Sequence, residues 1–322
     1  MRTRDDLTEP PTTKKQWGGT LGGPIVRDRA HYFFSLERII INEGRSSVYA
    51  ARPDRNFSIS QDTDVWNLLG RVDHQLSPTQ TYSVRYLFEN SPQNPQFNNG
   101  NTLDSLREET DIDQTVVGQL SSVFGNTKFN TLRVSWTMED INRSNPQYFD
   151  NGQRQWELPA TRNHQSFIDV QNPAGERRIN HAWHVENTFS WFLPGRRGDH
   201  DVKFGTQIQV VNHRFDDQTN MNGTFNFRSD VAFNPADPST YPELLSIRVP
   251  SPDSSFMHSK AIVGFVQDKW RLTPRLTFSL GLRYDVEITP IRAPVVAPLM
   301  DENGDYPVDK DNFAPRLGWC TT

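Results

Sequence analysis

Little in these 322 residues can hold a chain together from within. There is one cysteine, Cys320, so no internal disulfide can form. No run of 18 apolar residues occurs, which excludes a membrane-spanning helix. Met1 is followed by Arg2-Thr3-Arg4-Asp5-Asp6, without the apolar stretch of a secretory leader. Hydrophobic residues make up 34%, low for a chain that must fill a packed interior. Neither charge dominates, and a net charge of -5 argues against a nucleic-acid partner. Catalytic signals are also missing: there is no Gly-x-Ser-x-Gly elbow, and Cys320 lies in a tail with no basic neighbour to activate it. The glycines between Gly18 and Gly23 are not followed by the Lys-Ser/Thr of a phosphate loop. Neither an enzyme nor a bound cofactor is expected.

What the chain has is alternation. From Thr277 to Val286, the residues Phe278, Leu280, Leu282, Tyr284 and Val286 fall on one side, and Thr277, Ser279, Gly281, Arg283 and Asp285 on the other. A period of two means a strand with one apolar and one polar face. Three further segments repeat it: 131–139 around Leu132, Val134 and Trp136; 183–191 around Trp183, Val185 and Phe189; and 201–210 around Val202, Phe204 and Ile208. Tyr82, Val84, Tyr86 and Phe88 do the same, and weaker versions lie at 31–41, 63–75, 112–124, 259–271 and 312–319. The pattern predicts about ten strands of roughly 9–14 residues, suited to tilted membrane crossings.

The connections sort into two kinds. Short ones are Ser77-Pro78-Thr79-Gln80, Gly125-Asn126-Thr127, Pro194 to His200 and Thr273-Pro274; long ones span about 42–62, 90–111, 143–180, 216–257 and 288–311. They alternate strictly. Outer-membrane barrels have short periplasmic turns and long extracellular loops, whereas a soluble sandwich or propeller has no reason to. The fold expected is therefore all-β, an antiparallel up-and-down transmembrane β-barrel in a bacterial outer membrane. Since such a protein needs a leader, a piece of a longer chain is expected. The runner-up is a soluble β-rich carbohydrate-binding module.

The polar face supplies the first candidate site. Arg85, Arg133, Glu186, Lys203, Gln207, Arg283 and Asp285 all fall opposite the apolar side, where they would line a wet lumen. The second is a set of aromatics in the two longest loops, Tyr148, Phe149, Trp156, Phe225 and Phe227, which suit a flat or sugar-like ligand but would equally serve to fold a loop back on itself. Metal binding is not expected. His181 and His184 are three apart and so point to opposite faces of a strand. The acidic run Asp301-Glu302-Asn303-Gly304-Asp305 lacks the Gly and Glu that a calcium loop needs at its later positions, and reads as a solvated loop.

Two motifs carry a resemblance. Gln16-Trp17-Gly18-Gly19-Thr20-Leu21-Gly22-Gly23-Pro24-Ile25, followed by Asp28 and His31-Tyr32-Phe33-Phe34-Ser35-Leu36-Glu37, resembles the plug-to-barrel junction of TonB-dependent outer-membrane receptors, closest to their Oar-like branch. Gln267-Asp268-Lys269-Trp270-Arg271-Leu272 with Leu280-Gly281-Leu282-Arg283-Tyr284-Asp285 is similar to a hairpin of that family's barrels, and Asn312 to Trp319 to the start of the next strand. The resemblance implies a barrel of about 22 strands with a plugged lumen. Residues 1–28 would end the plug and 29–322 would form the first part of the barrel. It further implies outer-membrane lipid, a TonB complex reached through the missing plug region, and an extracellular small-molecule or glycan ligand as partners. The function it implies is energised uptake of a siderophore, cobalamin or oligosaccharide, with adhesion by a non-transporting barrel as the alternative.

Overall fold

The computed structural model describes residues 10–144, 149–150, 153–154, 160–173, 175–217, 219–220, 222–248, 255–288, 308 and 310–321, with the backbone alone for 144, 149–150, 153–154 and 255. The strands Thr13–Val26 (β1), Ala30–Ser47 (β2), Phe57–Ser77 (β3), Gln80–Asn90 (β4), Gln93–Gln96 (β5), Arg107–Phe124 (β6) and Lys128–Ser144 (β7) come first. The next connection holds the short strands Phe149–Asp150 (β8), Gln153–Arg154 (β9), Thr161–Asn163 (β10) and Ile168–Asp169 (β11). Glu176–Leu193 (β12) and Asp199–Asp217 (β13) follow, then Thr224–Asn226 (β14) and Leu244–Ser246 (β15) in a loop, then Ser255–Thr273 (β16), Leu276–Ile288 (β17) and Phe313–Thr321 (β18). There is no α-helix among the described residues.

Twelve strands make one antiparallel sheet in the order β1-β2-β3-β4-β6-β7-β12-β13-β16-β17-β18, with β5 pairing β3 and β6 beyond the end of β4. Except for that patch, neighbours in the sheet follow one another along the chain, the up-and-down order expected. Two elements go beyond the expectation. Thr13–Val26, within the expected junction segment, runs as the edge strand β1 and pairs with β2 along its length. Its glycines permit the approach: a Cβ on Gly18 would lie 2.6 Å from the Leu36 carbonyl oxygen. β5 then fills the lane that the 11-residue β4 leaves short.

The strands are longer than the alternation indicated. β3 has 21 residues, β13 and β16 have 19, and β2, β6 and β12 have 18. At ~3.3 Å per residue, β3 is ~70 Å long, far more than a hydrocarbon layer of ~30 Å requires. The excess lies at the long-loop end, where the apolar side itself turns polar. Arg38 makes a bidentate ion pair with Asp64 at 2.7–2.9 Å, Asn42 donates to Asp62 at 2.5 Å, and Arg177 holds Asp140 at 2.7–3.0 Å. All six residues lie in register with the apolar face. A strand with water on both sides has no reason to alternate, so periodicity ends before hydrogen bonding does.

Within the apolar band, large side chains stand in the open: Trp183 is 51% exposed, Leu317 69% and Trp319 71%. Aromatic contacts mark its two borders. Trp17–Trp66 and Trp136–Trp183 lie toward the long loops, and Phe124–Phe189, Phe189–Phe204 and Trp270–Phe278 toward the short turns. Such an exposed apolar face with two aromatic girdles is that of a membrane barrel wall. The buried apolar cluster lies elsewhere, in the loops, where Tyr49, Phe57, Leu106 and Phe167 pack together.

One close approach fixes the middle of the sheet. On the polar face, Phe265 lies over Gly205, and a Cβ there would collide with the Asn187 carbonyl oxygen as well as the Phe265 ring. Gly205→Ala is expected to lower unfolding stability by ~1–3 kcal/mol through overpacking. A denaturation midpoint equal to that of the native protein would show that the strands can part without cost.

Candidate functional site

Cross-strand register puts all seven polar candidates on one face of the sheet. Arg133 pairs with Glu186, Glu186 with Gln207, Gln207 with Val263 and Val263 with Asp285. Lys203 and Arg283 lie even numbers of residues away on the same strands, and Arg85 joins through Val117 and Ser135. The face is concave: one hollow of about 1130 Å³ touches seven adjacent strands, from Gln16 on β1 to Asn180 on β12. A smaller hollow of about 260 Å³ lies between Gln207, Gln267, Arg283 and Arg316.

Charge on this face is segregated along the strands. Toward the short turns it is basic, and several cations there have their own carboxylate: Arg71 holds Asp73 at 2.7 Å, Arg283 holds Asp285 at 2.8 Å, and Arg133 lies 3.7 Å from Glu186. Toward the long loops, a single cross-strand row runs Glu37, Asn67, Glu89, Asp113, Glu139, Asn180. Its four carboxylates form no ion pair among the described residues, and amides alone reach them: Gln16 donates to Glu37 at 2.6 Å and Asn180 to Glu139 at 2.6 Å. Higher still, Arg143 bridges Glu109 at 2.5 Å and Glu176 at 2.6 Å, tying β6, β7 and β12 together at the mouth.

Asp111 shows what this row does to its surroundings. It lies on β6 one position beyond Ile112, the last outward apolar residue, and so just outside the membrane-crossing segment, at its long-loop border. Burial, reinforced by Asp113, Glu139, Glu109 and Glu89, pushes its carboxyl up to about 6. One of its oxygens is buried without a hydrogen-bond partner. Parity along the sequence already puts Glu89 and Glu139 on the polar face, but Glu37 and Asp113 were not among the sequence candidates, because only the register reveals that the four form a row.

The loop aromatics have mixed fates. Tyr148 and Trp156 lie outside the described residues, as does the side chain of Phe149; the acidic run 301–305 also lies outside them. Phe225 is half-buried on β14, between Arg162 of β10 and Leu245 of β15. Phe227 stacks on His164 with ring centroids 4.6 Å apart, inside a folded cap. In that cap β11, β10, β14 and β15 form a four-stranded sheet from two different connections, and Asn101 of a third bridges to Ile168. His181 and His184 fall on opposite faces of β12, with His181 stacked on Trp136. Sequence reasoning missed His164, Asp169, Arg55 and Gln171, which are brought together only by long-range folding of irregular segments.

The chain belongs to the family described as the outer membrane beta barrel domain, which matches residues 2–58 and 49–320. No curated protein matches it. Among solved structures, the outer membrane transporter YddB from Escherichia coli superposes with a TM-score of 0.65 at 10% identity, over 97% of this chain and 36% of that one. FpvA of P. aeruginosa, bound to a pyoverdine–iron complex, gives 0.59 at 9%, over 97% and 39%. The ferric enterobactin receptor PfeA of Pseudomonas aeruginosa gives 0.57 at 12%, over 96% and 39%. At these identities the likeness is one of fold: the wall is built as in these three proteins, and the matches do not distinguish the Oar-like branch. This chain spans less than two fifths of the length of each. The family and the exposed apolar band together remove the soluble reading.

With its folded-state value above that of a free carboxyl, Asp111 favours the protonated native state. Its contribution is fully present below about pH 4 and is lost as pH rises through about 6. Thermal unfolding across this range is expected to show a fall in stability that Asp111→Asn flattens; an unchanged slope in the variant would refute the assignment.

Proposed function

We propose that the chain is part of an outer-membrane receptor that takes up a scarce nutrient (a siderophore, cobalamin or an oligosaccharide) in a step driven through a TonB complex. The observation that carries this reading is the row of four carboxylates without a cation on a concave face. Charge of one sign needs a counter-charge once a closed wall shields it from bulk water. A cationic plug segment in the lumen would supply it, and residues 1–28 would lead out of that plug, their strand Thr13–Val26 already lying in the wall. In this reading Arg85, Arg133, Glu186, Lys203, Gln207, Arg283 and Asp285 face the lumen. Those with partners on the wall stiffen it, while Arg85 and Lys203 meet the plug or a passing solute. Tyr148, Phe149, Trp156 and Phe225 contact the extracellular ligand, and Phe227 holds the cap that presents them.

The second reading is adhesion. A cap tied together from four connections makes a stable surface for a partner outside the cell even if nothing crosses the wall. The two readings separate in cells. Labelled ferric siderophore, cobalamin and oligosaccharide would be offered to strains with and without the gene, with and without a protonophore. Accumulation of one of them that requires the gene and collapses with the protonophore is the expected result. Equal accumulation in both strains, with surface attachment lost in the deletion, would replace transport by adhesion.

A further inference from the structure

Four extracellular connections meet at one buried carboxylate. Asp169 is 1% exposed, and its Oδ2 lies 3.0 Å from Arg55 of the β2–β3 connection, which also holds Asp104 of the β4–β6 connection at 3.2 Å. Thr102 and Ser105 of that second connection donate to the neighbouring Ile168 carbonyl at 3.0 and 2.8 Å. His164 belongs, with Asp169, to the third. Its ring is sandwiched between Phe167 at 4.4 Å and Phe227 of the fourth at 4.6 Å, the interplanar angles being 21° and 11°.

The contacts of that ring cannot both be met by a neutral imidazole. Nδ1 lies 3.3 Å from the Ser229 carbonyl oxygen, and Nε2 lies 3.5 Å from Asp169 Oδ1. Both neighbours are pure acceptors. A neutral ring has one N–H, so either tautomer sets a lone pair against an oxygen. The imidazolium has two: one meets the Ser229 carbonyl, and the other sets positive charge beside Asp169 Oδ1, where at 3.5 Å the two atoms form an ion pair and not a hydrogen bond, each buried without a hydrogen-bond partner. Two phenyl faces are also a favourable seat for a cation.

Charge around the node points the same way. The groups facing it are Arg55, Asp104 and Asp169, with Arg52 (paired to Asp54) over the far side of the Phe167 stack and Asp230 bound to Ser166. With Arg52 paired to Asp54, Arg55 stands alone against Asp104, Asp169 and Asp230, so a protonated His164 offsets part of a net negative charge that the neutral ring leaves in full. The closed arrangement also carries unrelieved costs. Val170, β-branched, is held at φ 72°, and the side-chain amide of Gln171 is fully buried without a hydrogen bond on either atom. A node with these features is poised to open when its ionic contacts weaken.

We propose that His164 and Asp169 form a proton-operated latch on the extracellular cap, closed while the imidazole is protonated and slackened when it is neutral. The inference goes beyond the transport reading and does not rest on it, since a cap that loosens would regulate ligand entry and adhesion alike. The sign follows directly. The protonated ring favours the closed cap, so closure is stronger at acid pH and weakens when the ring gives up its proton.

Hydrogen exchange on the intact protein in outer-membrane vesicles tests this at about pH 5.5 and about pH 8.5, on either side of the ordinary imidazole range, after correction for intrinsic rates. Amides of 161–171 and 101–106 are expected to be protected about tenfold or more better at the acid value, while amides of β12 and β13 hold constant. His164→Gln should abolish the difference, and Asp169→Asn should flatten it. Equal protection at both values in the native protein, or a pH effect that survives in H164Q, would overturn the latch. Should H164Q misfold, an imidazole resonance of the native protein that titrates together with cap protection would support the latch, and one that titrates independently would overturn it.

Discussion

Everything in this molecule depends on the need to pair backbone N–H and C=O groups where no water can reach them. In hydrocarbon each unpaired group costs several kcal/mol, so a chain with no apolar helix must cross as hydrogen-bonded strands. The antiparallel ladder from β1 to β18 meets that need, and every other property of the wall is arranged around it. Because side chains alternate across the ladder, one set faces lipid and the other the concave interior. The ladder thus sets the composition of the chain, since only every second residue of a crossing must be apolar, which reconciles 34% hydrophobic residues with a life in the membrane.

The same ladder continues where the membrane does not. Beyond the girdle formed by Trp17, Trp66, Trp136 and Trp183, strands such as β2, β3, β12 and β13 run on with cross-strand ion pairs outside and Arg143 with its two carboxylates inside. These extensions carry the loops well clear of the lipid. At their ends the architecture changes from a ladder to a packed cap, in which Tyr49, Phe57, Leu106 and Phe167 form a small apolar core. The wall is stabilised by lipid and hydrogen bonds, the cap by burial, so the two parts answer to different conditions.

The sequence reveals the parts of the fold that are periodic and local. Phe278 to Val286, Leu132 to Met138 and Val202 to Val210 disclose their strands because lipid on one side and water on the other impose a period of two. It does not reveal where strands end, since Arg38, Asp64, Arg177 and Asp140 obey no such contrast. β5 is likewise invisible, being four residues that complete a neighbour's lane. The polar candidates are legible as a face from their parity alone, but the row Glu37–Glu89–Asp113–Glu139 needs the register, which depends on pairing across the turns. The cap is the least legible part. Arg55, His164, Asp169 and Phe227 come from three different connections, and nothing local in their segments distinguishes them from any polar loop.

Among the described residues, β1 and β18 each pair on one side only. An open ladder edge cannot rest in lipid, for the reason that made strands necessary at all, and the outward side chains Trp17, Leu317 and Trp319 place both edges at membrane depth. Further strands must therefore meet both edges, whichever polypeptide provides them. The polar face points to the same need from inside. Its carboxylate row is turned toward a hollow that a larger closed wall would enclose, and enclosure would strengthen every charge interaction there by removing water. The open ladder and the carboxylate row without a cation thus belong to one geometry: joining the edges would close the wall, and closing the wall would turn the row inward.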